Sequence, residues 1–272
     1  MKTGKHAAVH TAATMRSALA LHDALRDLPE PAANSQDWAV EVRGQAATLA
    51  GYDPSFPWGL ALNASYGCCV FSDWKHQQML WSANTGTMIV PPDSEVLRKY
   101  ETVAGFDPNA KVDANGENPT DQGASEVDFC NYLVKTGDLT SWGTIDARNT
   151  RNTRWAIELF GTVKIGIQVP DFMEGYFAVG KVLDIPAGWS PKFEGGHDVP
   201  LIKYAMDGST RLYCCVTWGR EMWITEPCML MICDEVHAPL SPVWTRNRGV
   251  APGTGGLDFA VLDAILREAI AA

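Results

Sequence analysis

The stretch that decides the fold is Asn63-Ala64-Ser65-Tyr66-Gly67-Cys68-Cys69-Val70, which runs directly into a helical pattern. Large or apolar side chains recur there at helical spacing, so we predict a helix from about Cys68 to Trp81. A thiol at the start of a helix lies at the positive end of the helix dipole, which favours the thiolate. Cys69 is therefore the candidate nucleophile, and a buried core thiol is the alternative.

A second short motif supplies a candidate base. Gly195-Gly196-His197 leads into an apolar strand pattern. Thiol chemistry on an amide needs a base that takes the thiol proton and later protonates the leaving amine. Asp198 follows His197, but neighbouring residues of a strand point to opposite faces, so we do not expect it to orient the imidazole. A structural histidine is the alternative for His197.

The other histidines near these motifs have different predicted roles. His76 lies seven residues along the predicted helix from Cys69, which is a rise of about 10.5 Å. It is therefore too far along the helix to be the direct base, and we expect it to be structural. His237 follows the pair Asp234-Glu235, and for it we expect a capping or surface role.

The chain divides into a helical first half and a strand-rich second half. Helical patterns cover 12–28, 95–101, 126–136 and 257–270, and strand patterns cover 163–169, 199–204, 211–218 and 222–225. We therefore predict an α+β fold with the two kinds of element segregated. Its predicted parts are an N-terminal helix and extended arm (1–58), the main domain (59–250) and a C-terminal helix packed on that domain (251–272), after the hinge Gly253-Thr254-Gly255-Gly256.

Composition argues against several function classes. A formal net charge of −10 repels phosphate backbones, so we predict no nucleic-acid partner. No apolar run reaches the roughly 18 residues of a membrane span, and the first residues lack the apolar core of a secretory signal, so we predict no membrane partner and synthesis in the cytosol. Seven cysteines without zinc spacing favour neither a disulfide framework nor a metal site, and we expect no cofactor.

Several motifs together resemble the papain-like cysteine peptidases, and they occur in the order of that family. They span 60–225 and are Asn63, Gly67-Cys68-Cys69, Phe160-Gly161-Thr162-Val163, Gly195-Gly196-His197-Asp198-Val199 and Val216-Thr217-Trp218-Gly219. The resemblance implies a papain-like fold, with Cys69 on a helix of the N-terminal half and His197 in an antiparallel β half. It also implies that Cys69 is the nucleophile, His197 the base and Asn63 the side-chain donor to the oxyanion.

A narrower resemblance is to uncharacterised phage and prophage proteins of this fold. It covers about 60–270 and adds the loop Asp121-Gln122-Gly123 and the stretch from Asp234-Glu235 to Leu240-Ser241-Pro242. It implies a hydrolase of peptide or isopeptide bonds, located in the bacterial host cytoplasm or in a phage particle. The implied partners are a protein or peptide substrate and, in a virion, other virion proteins or further copies of the chain.

Departures from the peptidase pattern leave other readings open. Val216 stands where the family keeps the asparagine that orients the histidine, and valine cannot accept the ring N–H. Asn63 has a shorter reach than the family's glutamine. The alternative function is therefore a catalytically inactive papain-fold structural protein of a phage virion. A transglutaminase-like acyl transferase is a third reading, and the helix at 12–28 is either a docking arm or an inhibitory prosegment.

Overall fold

The computed structural model describes residues 3–8, 10–246 and 256–271. Within these residues the helices are α1 (Ala12–Leu25), α2 (Ala39–Ala46), α3 (Cys69–Thr85), α4 (Asp93–Ala104), α5 (Glu126–Thr136), α6 (Thr150–Phe160), α7 (Met173–Ala178), α8 (Glu226–Ile232), α9 (Pro242–Thr245) and α10 (Phe259–Ala271). The strands are β1 (Ser141–Ile145), β2 (Val163–Pro170), β3 (Phe193–Asp207), β4 (Thr210–Thr217), β5 (Arg220–Thr225) and β6 (Cys233–Leu240).

These strands form one antiparallel sheet in the order β1-β6-β2-β3-β4-β5. β3 pairs with β2 on one side and β4 on the other, and His197 lies opposite Ile167 of β2. β2 is buried along nearly its whole length, which explains its continuous apolar run. The predicted α+β class is confirmed, with helices α1 to α5 before the first strand.

Helices cover the sheet on two sides. One core joins the sheet to α1, α6, α8 and α10, and the other joins it to α2, α3, α4 and α5. Adjacent strand residues alternate between the cores, as Cys214 and Cys215 show. All seven cysteines are buried and free, as the odd count and spacing predict.

Local signals set the bounds of the elements that the sequence located well. α5 begins after Ser125, whose hydroxyl accepts from the Asp128 N–H, and ends at Gly137 in the left-handed conformation. β1 and β6, which pair with each other, were not predicted from the sequence. β6 reads C-D-E-V-H-A-P-L, and its polar residues and proline hide the strand pattern.

The predicted extended arm, 29–58, contains a helix that the sequence did not predict. This helix, α2, buries Val42 in the core against α3. Ion pairs join the arm to the β half, with Arg43 at 2.6 Å from Glu221 and Lys203 at 3.0 Å from Asp37. The predicted boundary between 250 and 251, and residues 253–255 of the predicted hinge, lie outside the described residues. Among the described helices, none has the length and apolarity to cross a lipid bilayer.

Candidate active site

Cys69 is the first residue of α3 and is buried. The loop before it is fixed by the Gly67 N–H, which donates to Asp121 Oδ1 at 2.8 Å. The Tyr100 hydroxyl donates to the same oxygen at 2.8 Å and accepts from the Gly123 N–H at 2.9 Å. The Cys motif and the Asp121-Gln122-Gly123 loop are therefore joined into one wall, and Cys69 lies at the N-terminal end of α3.

His197 is held in β3 by two neighbours. Its Nε2 lies 2.9 Å from Thr217 Oγ1, and its ring stacks on Trp218 with 5.0 Å between centroids and 18° between planes. Its Nδ1 is buried and has no hydrogen-bond partner among the described residues. Val216 cannot accept the ring N–H, and the hydroxyl of the next residue, Thr217, contacts the imidazole instead.

The structure brings the three predicted site residues to one cavity. Cys69, His197 and Asn63 line it, together with His76 and Asp198 among others. Its free volume is about 10 Å³, roughly the room that one water molecule needs. The buried Asn63 amide donates to the Tyr66 carbonyl at 3.3 Å. The catalytic roles of the three residues stay predictions, but their proximity is established.

Residues 3–8 run between Gly196 and Ala124, next to Cys69, and we call them the N-terminal segment. The N–H groups of Gly4 and Lys5 both donate to the Gly196 carbonyl at 3.1 Å. On the opposite wall, the Ala124 N–H donates to the Gly4 carbonyl at 2.7 Å, and the His6 N–H donates to the Ala124 carbonyl at 2.9 Å. The backbone N–H groups of Asp198 and Gly4 also lie beside the Cys69 thiol and lower its pKa. A polypeptide backbone therefore covers the thiol.

The fit of this segment requires glycine at several contacts. A Cβ on Gly4 would lie 1.8 Å from the Gly67 carbonyl oxygen, and a Cβ on Gly123 would lie 1.6 Å from the Gly4 oxygen. A Cβ on Gly196 would lie 2.5 Å from the Lys5 oxygen. Backbone meets backbone at these points, so no side chain can rotate away. Sequence analysis missed the segment because it has no apolar periodicity.

Solved structures share this architecture. A proCathepsin B S9 from Trypanosoma congolense matches with a TM-score of 0.54, covering 88% of this chain and 86% of that chain at 11% identity. A structure reporting on the mite allergens Blo t 1 and Der p 1 matches with a TM-score of 0.52, covering 88% of this chain and 76% of that chain at 13% identity. The fold is that of the papain-like cysteine proteases.

A xylellain, a cysteine protease from Xylella fastidiosa, also matches, with a TM-score of 0.48 over 65% of this chain and 80% of that chain at 12% identity. No protein-family model matches the sequence, and no curated protein matches it either. The two matches with TM-scores of 0.52 and 0.54 confirm the predicted papain-like architecture, with a helical N-terminal half and an antiparallel β half.

In this papain-like fold the thiol and the imidazole are both neutral while the N-terminal segment is in place. Burial raises the pKa of Cys69, and the charge of Asp198 raises it further. Burial lowers the pKa of His197 to about 3. Access of water to the two groups would move both pKa values back toward their ordinary range and so favour an ion pair between them.

The side chain of Lys5 fills a buried acidic pocket beside the papain-like cleft. Its ammonium group lies 2.8 Å from Glu235 Oε1 and 3.0 Å from Asp234 Oδ1, and donates to the His6 carbonyl at 2.9 Å. Burial alone would lower the pKa of Lys5, but the surrounding carboxylates raise it above its ordinary value. The lysine is therefore charged although its side chain is fully buried.

His237 lies in the wall of this pocket, so the expected capping or surface role is wrong. It is buried, and its Nε2 lies 3.0 Å from Glu235 Oε2. Burial alone would raise the pKa of Glu235, but His237 and Lys5 lower it to about 2. Ligand atoms of Glu126, Glu235 and His237 lie within 4.8 Å of one another. That spacing suits a cation, and the Lys5 ammonium already supplies positive charge there.

His76 has a structural role, as its position along α3 predicts. Its Nε2 donates to the Gly59 carbonyl at 3.0 Å, and its ring meets the edge of Trp58. Burial lowers the pKa of His76 to about 4, so the ring is neutral at physiological pH. It forms part of the cavity wall and ties α3 to the preceding loop.

A buried ion triad lies under the papain-like cleft. The Lys164 ammonium of β2 bonds Asp73 of α3 and lies 2.6 Å from Asp198 Oδ2 of β3. All three side chains are almost completely buried. Asp198 therefore pairs with Lys164, whereas the hydroxyl of Thr217 contacts His197. The triad joins the helix that carries Cys69 to the strand that carries His197.

Proposed function

We propose that the chain is a papain-like cysteine hydrolase of peptide bonds, kept closed by its N-terminal segment. One observation carries the proposal. The N-terminal segment is hydrogen-bonded to Gly196 on one wall of the cleft and to Ala124 on the other, and the Gly4 backbone lies beside the Cys69 thiol. A cleft that holds a peptide backbone over a thiol is arranged to present a peptide carbonyl to that thiol when a substrate replaces the segment.

The proposed chemistry begins with proton transfer from Cys69 to His197. With the Nε2–H donating to Thr217 Oγ1, the unpartnered Nδ1 is the nitrogen that accepts the thiol proton. The thiolate attacks the peptide carbonyl, and the imidazolium returns the proton to the leaving amine, which gives a thioester on Cys69. Water, deprotonated by His197, then releases the acid. The Asn63 amide and the Cys69 N–H would stabilise the oxyanion.

The N-terminal segment blocks this chemistry and does not undergo it. It places an N–H donor, from Gly4, beside the Cys69 thiol. A thiolate attacks a carbonyl carbon, so this contact places no electrophile at the nucleophile. Among the matched structures, the one from Trypanosoma congolense is named as a proCathepsin, which agrees with a closed form of the fold.

The test uses the full chain carrying Gly4→Val, because any Cβ at Gly4 collides with the Gly67 carbonyl. A peptide library of mixed sequence is incubated with this variant, and new termini are identified by mass spectrometry. We expect cleavage by Gly4→Val and none by Gly4→Val/Cys69→Ala. If the folded Gly4→Val variant shows an accessible Cys69 but cleaves no peptide, the hydrolase proposal is wrong.

The contact between Thr217 and His197 gives a second expected result. In the Gly4→Val background, Thr217→Val is expected to lower kcat roughly 100-fold, because the imidazole loses the group that fixes its tautomer. Thr217→Ser keeps the hydroxyl and should keep most of the activity. The readout is the pH profile of kcat together with the melting temperature. A loss of stability with an unchanged pH profile would assign Thr217 a structural role only.

The setting of the protein rests on the sequence resemblance alone and stays a prediction. This applies to the phage or prophage type, to a location in the bacterial host cytoplasm or a phage particle, and to virion partners. It applies equally to the predicted absence of nucleic-acid, membrane and cofactor binding. The alternative, an inactive structural protein of a virion, is favoured by the burial of Cys69 in its neutral form. The library experiment with Gly4→Val decides between the two.

A further inference from the structure

The pocket that holds Lys5 has the chemistry of an ammonium site. Three oxygens surround the Lys5 Nζ, from Glu235, Asp234 and the His6 carbonyl, at 2.8 to 3.0 Å. An ammonium group has three donors, whereas a guanidinium has five in a planar fork. The number of oxygens around Nζ matches the three donors of lysine.

The shape of the pocket also fits an unbranched aliphatic stem. A Cβ on Gly166 would lie 1.9 Å from Lys5 Cε and 2.7 Å from Glu126 Oε1. The absence of a side chain at Gly166 therefore makes the space that the lysine stem fills. The Lys5 side chain is completely buried, so the pocket encloses its occupant rather than merely attracting it to a surface.

The charge of the pocket favours a cationic occupant. Burial alone would raise the pKa of Glu235, but His237 and Lys5 lower it to about 2, and Asp234 stands next to it. Glu126 is fully buried, neither of its carboxyl oxygens has a hydrogen-bond partner among the described residues, and burial raises its pKa well above the ordinary value. Once the N-terminal segment leaves, Glu235 and Asp234 lose the Lys5 charge, which an apolar side chain does not replace.

The pocket is close to the proposed reaction centre. Lys5 directly follows Gly4, whose N–H lies beside the Cys69 thiol, and both residues bond the Gly196 carbonyl. A polypeptide that replaces the segment, with one side chain in this pocket and its backbone shifted so that a carbonyl rather than an N–H faces the sulfur, would be cleaved close to that side chain. The pocket would thus select the residue beside the cleaved bond.

We infer that the Glu126, Asp234, Glu235 and Gly166 pocket is a lysine-recognition site, and that substrates are polypeptides with a lysine next to or close to the scissile bond. Lys5 is then an internal competitor for this site. The inference rests on the proposed hydrolase for its substrate, but the binding site itself does not depend on catalysis. Because the pocket binds a charged ammonium, a lysine already joined through an isopeptide bond would not fit it.

Binding is measured first, with no turnover. The protein is the full chain carrying Gly4→Val, Lys5→Ser and Cys69→Ala, so that neither the segment nor cleavage interferes. The probe is a fluorescent hexapeptide with the sequence of residues 3–8, Thr-Gly-Lys-His-Ala-Ala, capped at both ends. Matched peptides carry norleucine or arginine in place of lysine. We expect the norleucine peptide to bind roughly 30-fold more weakly or worse, and the arginine peptide to bind more weakly than the lysine peptide.

Variants of the pocket separate recognition from general charge. Glu235→Gln should reduce the preference for lysine over norleucine to a few-fold, whereas Glu268→Gln, which removes the same charge from an exposed position on α10, should leave it unchanged. Gly166→Ala should weaken binding of the lysine peptide more than binding of the norleucine and arginine peptides. Equal binding of the lysine and norleucine peptides to a folded protein would overturn the inference.

The peptide library then distinguishes a failure of the lysine site from a failure of the proposed hydrolase. Cleavage by Gly4→Val/Lys5→Ser with lysine enriched beside the cut bond supports both. Cleavage without lysine enrichment keeps the hydrolase and overturns the lysine site as a determinant of specificity. Lysine-selective binding of the hexapeptide without any cleavage keeps the recognition site and overturns the hydrolase.

Discussion

Valine in place of Gly4 is expected to raise the rate at which iodoacetamide alkylates Cys69 by about 100-fold or more at pH 7. The N-terminal segment is held by four backbone hydrogen bonds to Gly196 and Ala124 and by the buried ion pairs of Lys5. A docking free energy of about 3 kcal/mol from these contacts would keep the thiol exposed in about 1% of molecules. The added side chain collides with the Gly67 carbonyl and removes that protection.

The pH dependence of labelling should change in a defined direction. In the closed protein burial raises the pKa of Cys69, so labelling is slow and rises only toward alkaline pH. In Gly4→Val the thiol meets water, the helix dipole and His197, and its labelling should reach half its maximum below the free-thiol value of about 8.5. Adding His197→Ala should move this midpoint back up. Peptide mapping separates Cys69 from the other six cysteines.

A matched control exists in Gly44, on the exposed side of α2. A Cβ there meets no atom within 4 Å, so Gly44→Val adds the same side chain without touching the cleft and should leave labelling slow. If Gly4→Val keeps its melting temperature yet labels Cys69 no faster than wild type, the segment is not what protects the thiol. The closed state proposed for the enzyme would then be wrong.

The residues that sequence analysis located are those with strong local signals. Cys69 follows Gly67 and Cys68 and is the first residue of a helix that is buried on nearly all sides, and His197 follows two glycines within β3. The order of these motifs is enough to predict the papain-like fold. Thr217 was not predicted, because the motif aligns Val216, one residue earlier, with the family's asparagine that orients the histidine.

The residues that sequence analysis missed depend on partners far away in the chain. Lys5 pairs with Glu235 and Asp234, and nothing near Lys5 in the sequence indicates that it is buried. Lys164 gave one usable signal, because a charged residue interrupts the apolar run of β2. Its partner Asp73 is 91 residues away, so the pairing could not be read from local pattern. Buried charge pairs are set by tertiary structure, and only their unusual position in an apolar element can be seen in advance.

Methionine in place of Lys164 is expected to lower the free energy of unfolding by about 3–5 kcal/mol at pH 8, because it leaves two buried carboxyl groups without a cation. Asp73 and Asp198 both lose their ion pair, and one oxygen of each already lacks a hydrogen-bond partner among the described residues. Methionine has a similar length and fits an apolar site, so the effect reports charge rather than a cavity. Urea titration followed by tryptophan fluorescence measures it.

The sign of the pH dependence separates this explanation from simple loss of packing. Burial raises the pKa of Asp73 and Asp198, and Lys164 offsets this only in part. A carboxyl group whose pKa is higher in the folded protein than the unfolded value of about 3.9 stabilises the fold at low pH, and that stability is lost as the pH rises above this value. Lys164→Met should therefore be closest to wild type near pH 4 and furthest from it at pH 8. A packing defect would lower the free energy of unfolding by the same amount at pH 4 and at pH 8.

A variant that removes all three charges of the triad tests the same explanation. In Lys164→Met/Asp73→Leu/Asp198→Leu no charge of the triad remains, and replacing a whole buried ionic group by apolar residues is commonly neutral or stabilising. We expect this triple variant to recover most of the stability that Lys164→Met loses, and to lose its pH dependence. If the triple variant is instead less stable than Lys164→Met at pH 8, the triad holds α3 against β2 and β3 by geometry that apolar packing cannot replace. The distance between Cys69 and His197 would then depend on the ions themselves.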